Sequence, residues 1–386
     1  MPEEICDLLV LTGEPSGDAY GAAVVERLRR LRPELRCLAM GGPQLARAGA
    51  EIIQGIEGLA VMGFLPVLKR LPEFLALGRR MAEALERHRP RVVLSIDYPG
   101  FNLRLARRSA ALRRHGCVWM HLVAPQVWAW KPRRAKSVAQ SVDRLLCFFP
   151  FEPPLFARFG CRAEFVGHPL LDLIPSTDRL RAELAGELNM PSEERLLLIA
   201  PGSREAEIST LLPLFDQAAR AVMARVPGRV HAVVATVPDR PVDLYRRHTS
   251  FPLIAGRYRP LCACAHTGLI ASGTATLEAG LIGLPHVIAY RTDRIQAALL
   301  RRLAITDHVG LPNIVCGRRV VPEVLQDELD LPRLTAHLLR MWEGPRRETC
   351  LAGLAELRAR LGSGGALERI ASIINAELLP SLTSNP

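Results

Sequence analysis

Ala271-Ser272-Gly273-Thr274-Ala275-Thr276-Leu277-Glu278 is the segment from which the fold of this chain can be worked out. The apolar residues 267–270 before it predict a buried parallel strand, and residues 277–282 predict a helix. A strand that turns into a helix through small hydroxyl and glycine residues leaves unpaired backbone N–H groups at the positive end of the helix dipole. The segment therefore predicts an anion site.

Glu278 lies one helical turn after Thr274, so the two side chains share one face of the predicted helix. A carboxylate in this place can accept hydrogen bonds from ribose hydroxyls. The alternative, an ordinary capped helix with a solvated Glu278, explains the segment equally well by itself.

Composition sets the class of protein. With 386 residues, 49% of them hydrophobic, the chain is long enough for two globular α/β domains. Its formal net charge of +11 comes from arginines spread over predicted helices. This charge favours an anionic partner, either a phosphorylated ligand or an anionic membrane surface. No basic patch interleaved with aromatic residues indicates nucleic acid, so no nucleic-acid partner is expected.

The cysteines and the first residues indicate the compartment. Nine cysteines, an odd number, are scattered without a C-x-x-C pair or a metal-ligand spacing, which is typical of buried thiols in a reducing compartment. The acidic start leads directly into a predicted strand, so no secretory signal is expected. No apolar run reaches the roughly 20 residues of a membrane-spanning helix. The sequence predicts a cytoplasmic protein that can still lie on a membrane surface.

The first half of the chain alternates strands and helices. Strands are predicted at residues 5–12, 36–41, 92–97, 117–123, 144–148 and 162–166. This alternation predicts an open parallel sheet covered on both faces, with ligands beyond the carboxyl ends of the strands. The residues at those ends are candidates for lining a cleft or binding an acceptor substrate, and they are Ser16, Gly17, Asp18, Gln126 and Trp128. Asp97 lies at such an end too, as a candidate base.

The pattern then begins again. The sequence predicts a first domain over 1–169, a linker over 170–194, a second α/β domain over 195–344, and C-terminal helices over 345–386 that pack back towards the first domain. Predicted strands of the second domain lie at 195–200, 229–236, 252–256, 267–271 and 286–290. Two doubly wound, Rossmann-like parallel-sheet domains facing across a cleft match the GT-B fold of glycosyltransferases.

A second phosphate-type loop is predicted in the second domain. Pro201-Gly202-Ser203-Arg204 follows a predicted strand and precedes a long predicted helix. Gly202 would let the backbone approach a phosphate, and Arg204 would offer a bidentate guanidinium to pyrophosphate oxygens. The alternative is a turn with a surface arginine. Two such loops in one domain favour the binding role.

An apolar segment at 61–75 is flanked by basic residues. It predicts contact with a membrane or with acyl chains, through Val61, Met62, Phe64, Leu65 and Leu68. Pro66 and Pro72 are expected to break it into short helices. An ordinary core helix fits the periodicity equally well.

Nine motifs, in order, resemble the lipid-A-disaccharide synthase family from residue 5 to residue 375. They are Gly13-Glu14-Pro15-Ser16-Gly17-Asp18, Leu59-Ala60-Val61-Met62-Gly63, Ile96-Asp97-Tyr98-Pro99-Gly100-Phe101-Asn102, Gln126-Val127-Trp128-Ala129-Trp130, Phe149-Pro150-Phe151-Glu152, Val166-Gly167-His168-Pro169-Leu170, Pro201-Gly202-Ser203-Arg204, Ala271-Ser272-Gly273-Thr274-Ala275-Thr276-Leu277-Glu278 and Leu311-Pro312-Asn313. No single motif is specific, but their order and spacing together are.

The resemblance implies an inverting GT-B hexosyltransferase on the cytoplasmic face of the inner membrane. It would join UDP-2,3-diacylglucosamine to 2,3-diacylglucosamine 1-phosphate in a β-1′,6 linkage and release UDP. It implies Asp97 as the catalytic base. It also implies a UDP site formed by Arg204, Ser272, Gly273, Thr274, Glu278 and Asn313. Gly100 stands where some members carry a second Asp, so that alternative base is missing here.

The chemistry agrees with these roles. A carboxylate that accepts the proton of the attacking hydroxyl typically contributes about 10²–10⁴-fold, and Asp97 ends a hydrophobic strand before a Pro-Gly turn. The alternative is an Asp that caps a helix beginning near Asn102. Departing UDP needs its charge stabilised, and the sequence contains no Asp-x-Asp for a divalent metal. We therefore expect a reaction without metal or cofactor.

Two other classes of function are compatible with parts of this pattern. One is a related GT-B enzyme acting on another UDP-sugar, such as an epimerase, although such an enzyme would not need the apolar segment at 61–75. The other is a non-enzymatic UDP-sugar or lipid-binding module, against which Asp97 argues weakly.

Overall fold

The computed structural model describes residues 5–59, 70–127, 133–184, 194–238, 240–292 and 307–379. The chain forms two compact units. The first unit comprises Met1–Asp172 with Gly364–Pro386, and the second comprises Leu173–Ser363.

The first unit contains a parallel sheet of seven strands in the order β3-β2-β1-β4-β5-β6-β7. The strands are β1 Leu8–Leu11, β2 Cys37–Gly41, β3 Glu51–Gly55, β4 Val92–Ile96, β5 Val118–Leu122, β6 Arg144–Cys147 and β7 Ala163–Phe165. The helices between and after them are α1 Pro15–Leu31, α2 Pro43–Arg47, α3 Leu71–His88, α4 Pro99–Arg108, α5 Ala110–Arg114, α6 Arg134–Ala139, α7 Glu152–Ala157 and α8 Leu170–Leu173.

Helices α3 and α4 cover one face of this sheet. Leu77 and Met81 of α3 and Leu105 of α4 share a buried core with Val93 and Trp119 of the two central strands. Burying these side chains contributes roughly 1.5–3 kcal/mol each. Because α4 begins directly after β4, this packing also fixes the loop that carries Asp97.

The second unit contains a parallel sheet of six strands in the order β10-β9-β8-β11-β12-β13. The strands are β8 Arg195–Ala200, β9 Val230–Thr236, β10 Leu253–Ala255, β11 Thr267–Ala271, β12 His286–Tyr290 and β13 Glu323–Leu325. The helices are α9 Thr177–Ala182, α10 Glu205–Met223, α11 Val242–Arg246, α12 Tyr258–Cys264, α13 Thr274–Ile282, α14 Leu311–Cys316, α15 Leu331–Trp342 and α16 Pro345–Arg360. Helix α17 Ala366–Leu378 belongs to the first unit.

Both sheets have a topological switch point, where the strand order reverses direction. It lies between β1 and β4 in the first sheet and between β8 and β11 in the second. Ligands of open α/β sheets bind at the carboxyl ends of the strands beside such a point. Four of the loops that the sequence singles out follow these four strands, and the loop with Gln126 follows β5.

The structure corrects the predicted linker and one of the predicted C-terminal helices, while α17 belongs to the first unit as expected. Residues 170–184 are not a plain polar link, since they form α8 and α9, and Leu180 and Leu184 are buried. Helix α16 does not return to the first unit. It packs on α13 and α14 of the second, where Gly280 leaves room for Leu357.

The chain passes from the second unit to the first at Gly362-Ser363-Gly364-Gly365. Asp172 then caps α17, its carboxylate oxygens lying 2.5 and 2.8 Å from the amide nitrogens of Gly365 and Leu367. Helix α17 packs along α1. A glycine-rich stretch is an ordinary signal for a chain crossing, and the sequence prediction overlooked it.

Pro72 does not break a helix, and Pro66 lies outside the described residues. Pro72 lies in the first turn of α3, where the missing N–H of proline costs nothing. No helix among the described residues is both long and apolar enough to span a membrane.

Candidate active site

Asp97 lies directly after β4, at the switch point of the first sheet. Its amide donates to the carbonyl of Leu122 at 2.9 Å, and its carbonyl accepts the side-chain amide of Asn102 at 2.7 Å. Burial raises the pKa of the Asp97 carboxyl above its ordinary value, and the amide of Tyr98 offsets this in part. A raised pKa makes a carboxylate a better proton acceptor.

The backbone at this point is strained. Asp97 and Tyr98 both have left-handed backbones, with φ of +47° and +50°, which costs about 1–2 kcal/mol per residue. Val123, after the neighbouring strand β5, has φ of +72°, a rare conformation for a β-branched residue. Such strain clusters at functional sites.

Gly13 makes room for the ring of Tyr98. A Cβ atom at residue 13 would lie 2.4 Å from that ring. The glycine of the first loop therefore supports the Asp97-Tyr98 turn from the neighbouring strand. The sequence did not predict this contact.

Asp97 does not cap α4. That helix begins at Pro99, its N-cap residue is Tyr98, and the cap makes no side-chain hydrogen bond. A capping role for Asp97 therefore lacks the geometry it requires.

The three predicted acceptor residues of the first loop differ in their surroundings. Ser16 is exposed in the first turn of α1, whereas Gly17 is buried against Thr12. Asp18 is 1% exposed. Its carboxylate accepts the amides of Gly42, Gln44 and Leu45 at 2.7, 3.0 and 3.3 Å.

The predicted role of Asp18 as an acceptor-site residue therefore needs correction. Its carboxylate closes the turn between β2 and α2, because the first amides of that helix need acceptors. Of the three residues, Ser16 alone combines a polar side chain with exposure to solvent.

The remaining first-unit predictions have mixed outcomes. Gln126 is exposed four residues beyond the end of β5. Trp128 lies outside the described residues, and so do Val61, Met62, Phe64, Leu65 and Leu68. Their proposed contacts stay predictions.

The second sheet presents an open helix N-terminus at its switch point. Gly273, the N-cap of α13, has φ of +153° and makes no side-chain cap, and both it and Thr274 are exposed. The Ser272 amide is used by the Ala289 carbonyl at 3.0 Å. Within the described part of the chain, the amides of Gly273, Thr274 and Ala275 have no acceptor. Free amides at the start of a helix are what an anion site requires, and the anion site of this segment stays a prediction.

Glu278 is held by an arginine that the sequence analysis missed. Arg259 Nε lies 2.5 Å from a Glu278 carboxylate oxygen, and the Arg259 Nη1 atom donates to the Leu173 carbonyl at 3.1 Å. The preceding residue, Tyr258, donates its hydroxyl to the Ala275 carbonyl at 2.6 Å. Helix α12 thus fixes the first turn of α13, and within the described ranges the other carboxylate oxygen of Glu278 has no partner.

The loop after β8 works differently from the prediction. Glu207 reaches back to the amides of Ser203 and Arg204 at 3.3 and 3.4 Å, and its other oxygen lies 2.8 Å from Arg204 Nη1. Gly202, with φ of +105°, leaves room for this carboxylate, because a Cβ there would lie 2.5 Å from it. The amides of Ser203 and Arg204 are therefore occupied. The half-exposed Arg204 guanidinium is still placed to meet an anion, and the binding role of this loop stays a prediction.

Asn313 does not fit its predicted place in the UDP site. It is fully buried in α14. Its Nδ2 donates to the Val321 carbonyl and to Glu323 at 2.9 and 2.7 Å, and its Oδ1 accepts the amides of Val320 and Val321 at 2.7 and 2.9 Å. The side chain ties the segment leading into β13 to α14, so no group remains for a ligand.

We expect Asn313→Ala to destabilise the protein by about 3 kcal/mol, because each buried partner left unpaired costs roughly 1–3 kcal/mol. Urea unfolding measures the loss. UDP affinity of the folded variant, measured by calorimetry, should stay unchanged. Normal stability with weakened UDP binding would return Asn313 to the donor site.

Among the residues that the structure describes, no group of three or more His, Cys, Asp or Glu side chains is arranged to hold a metal ion. The metal-free reaction expected from the sequence stays a prediction.

Comparison with known proteins decides the family. A family model described as lipid-A-disaccharide synthetase matches residues 8–354. The chain belongs to the lipid-A-disaccharide synthase family. This confirms the resemblance read from the nine motifs.

Relatives of this synthase family match nearly end to end. The lipid-A-disaccharide synthase of Myxococcus xanthus is 38% identical over 379 residues, which is 97% of each chain. That of Neisseria gonorrhoeae is 36% identical over 358 residues, 89% of each chain. The protein is therefore a glycosyltransferase of lipid A biosynthesis that forms the lipid A disaccharide.

Solved structures confirm the predicted GT-B fold. The calicheamicin glycosyltransferase CalG4 has a TM-score of 0.62 at 17% identity and covers 100% of both chains. The UDP-GlcNAc 2-epimerase of Neisseria meningitidis, bound to UDP-GlcNAc, has a TM-score of 0.66 at 13% identity, with 96% of this synthase chain and all of that chain covered. At these identities the likeness concerns the fold alone.

Proposed function

We propose that the enzyme transfers diacylglucosamine from UDP-2,3-diacylglucosamine to the 6-hydroxyl of 2,3-diacylglucosamine 1-phosphate, with inversion, and releases UDP. The family supports formation of the lipid A disaccharide. These particular substrates and the inverting course are our inference from that family and from the geometry of the loops.

Asp97 supports the proposed acceptor chemistry. An inverting transfer needs one base that removes the proton of the attacking hydroxyl while the oxygen bonds to the anomeric carbon. Asp97 lies at the switch point on a strained turn, and its pKa is raised by burial. Gly100 offers no second carboxylate in the same loop. The position of Asp97 on this turn is the observation on which the proposed mechanism depends.

The second unit supports the proposed donor chemistry. The free amides at the start of α13 and the guanidinium of Arg204 follow the two strands of the switch point. Together they would stabilise the charge that develops on departing UDP, as preorganised donors do. Glu278 would accept from the ribose hydroxyls, with Arg259 keeping its carboxylate oriented.

Both proposed substrates carry acyl chains, so the enzyme must reach a bilayer. We infer that it works at the cytoplasmic face of the inner membrane, bound to its surface. Its formal net charge of +11 favours an anionic lipid surface, and the segment at 61–75 is apolar with basic neighbours.

A direct assay tests the proposed function. Purified protein is incubated with labelled UDP-2,3-diacylglucosamine, with and without 2,3-diacylglucosamine 1-phosphate. We expect a disaccharide and UDP only when the acceptor is present. Release of UDP without acceptor would indicate a hydrolase, and binding without turnover would indicate a binding module.

Metal independence is tested in the same assay. Because the sequence has no Asp-x-Asp and Arg204 with the α13 amides supplies positive charge, disaccharide formation should continue in excess chelator. Activity that is lost with chelator and restored by Mg²⁺ or Mn²⁺ would contradict this.

A further inference from the structure

An apolar groove of about 260 Å³ lies within the first unit, between α3 and α4. Its apolar walls are formed by Leu71, Phe74, Leu75, Phe101 and Leu105. Leu71 and Leu75 are 37% and 39% exposed, which is high for large apolar side chains. The floor of the groove is open because Gly78 has no side chain. A Cβ atom added to Gly78 would lie 3.7 Å from Arg108 and 3.9 Å from Phe101.

The groove also has a charged edge. Arg104 and Arg108 line it, one turn apart on α4, so their guanidinium groups share one face of that helix. Both are exposed, and within the described residues neither has a hydrogen-bond or ion-pair partner. By contrast, Arg107 on the same helix donates to the Leu103 carbonyl and to Ser137.

One end of the groove reaches the candidate base. Tyr98, the residue after Asp97, lines it, and its ring lies 5.9 Å from that of Phe101. A ligand in the groove therefore lies beside the turn that carries the base. An apolar wall with a pair of free guanidiniums matches a ligand that has both a hydrocarbon chain and a phosphate.

We propose that this groove binds one acyl chain of the acceptor glycolipid, with Arg104 and Arg108 binding its phosphate. This inference rests on the proposed function, since it names the site at which that acceptor is held. The groove thereby positions the sugar hydroxyl for Asp97 and favours acceptors whose chains are long enough to fill it.

Binding of the acceptor tests the groove without requiring turnover. Calorimetry uses 2,3-diacylglucosamine 1-phosphate with a series of short chains, below the concentration at which it forms micelles. Affinity should rise about three- to fourfold for each methylene buried. Gly78→Phe fills the groove and should abolish this dependence on chain length. Gly78→Ala, which adds only a methyl in ordinary contact, should keep it.

The phosphate contact has its own matched control. Arg104→Gln with Arg108→Gln should weaken binding of the phosphorylated acceptor on the order of tenfold. Binding of the same lipid without phosphate should stay as it is. Arg104→Gln and Arg108→Gln are also made singly, and Arg107→Gln, which removes one positive charge from the same helix away from the groove lining, should leave both affinities unchanged.

The outcomes separate this proposal from the proposed function. If disaccharide forms but Gly78→Phe keeps the full dependence on chain length, the groove is not the acyl site and the function stands. If the groove variants behave as expected but no disaccharide forms, the acceptor site stands and the transfer reaction fails. Should Gly78→Phe unfold, Leu75→Gln replaces it, because that side chain is exposed, and an unchanged dependence there overturns the proposal.

Discussion

Asp97→Asn is expected to lower turnover by about 10²–10⁴-fold, the usual contribution of a positioned base. Asparagine keeps the size of the side chain and removes its basicity. Because the lost interaction belongs to the transition state, kcat and kcat/KM should fall together. UDP affinity should not change, since the second unit holds the proposed donor site.

The same substitution should not destabilise the protein. Burial raises the pKa of the Asp97 carboxyl in the native state above its ordinary value of 3.8. At a pH between the ordinary pKa and the raised native pKa, the native state therefore binds more protons than the unfolded state. The stability contributed by the protonated carboxyl is therefore lost as pH rises through the native pKa. At neutral pH Asp97→Asn removes this cost, and thermal unfolding should show equal or higher stability than the wild type.

The dependence of activity on pH gives a second check of Asp97. A base must be ionised to accept a proton, so wild-type activity should fall on the acid side at a pH above the ordinary Asp range. Asp143→Asn is the matched control: it makes the same change just before β6, where the carboxylate accepts the Trp119 amide at 2.8 Å. It should not produce a comparable loss of turnover. Near-normal turnover in Asp97→Asn would remove Asp97 from the role of base.

Most strands could be predicted from the sequence because each is a short apolar run that ends at glycine, proline or polar residues. The predictions for β8, β11 and β12 agree with the structure to the residue. The sequence analysis missed β3 and β13, which lie at the edges of their sheets. Strand β3 has no buried residue and β13 has three residues, so neither shows the pattern of a buried strand.

The positions of the candidate loops were also predictable, since ligand loops follow the strands of a parallel sheet. The contacts that individual side chains make could not be predicted. Asp18 binds the amide of Gly42 and Asn313 binds Val321, and a sequence does not show which buried amides need an acceptor. Polar residues in a motif therefore divide into those that hold the loop and those that face the ligand only when the packing is known.

Local strain was equally hidden from the sequence. Asn, Asp and Gly are the usual residues with positive φ, yet Tyr98 and Val123 adopt it here. The ring of Tyr98 packs over Gly13, a residue of the loop after the neighbouring strand β1. The motif Gly13-Glu14-Pro15-Ser16-Gly17-Asp18 thus supports the base as well as shaping its own loop.

A second large effect, on UDP binding, is expected from substitutions in the loops after β8 and β11. Arg204→Ala and Glu278→Ala should each weaken UDP binding by about ten- to a hundredfold, since a hydrogen bond to a charged group contributes roughly 1.5–3 kcal/mol. The first change removes the proposed partner of the pyrophosphate, and the second removes that of the ribose. Calorimetry with UDP measures both losses without requiring the lipid substrates.

Two control variants separate binding from support of the fold. Arg333 matches Arg204, since its side chain is also 52% exposed and also has an acidic partner three residues away along the chain. Arg333→Ala should leave UDP affinity unchanged. Arg259→Ala breaks the ion pair with Glu278 but keeps the carboxylate, so it should weaken UDP binding less than Glu278→Ala does. Equal losses of UDP affinity in Arg259→Ala and Glu278→Ala would mean that Glu278 holds α12 against α13 and does not bind the ribose. Unchanged UDP affinity in Arg204→Ala would mean that the amides of α13 bind the pyrophosphate without Arg204.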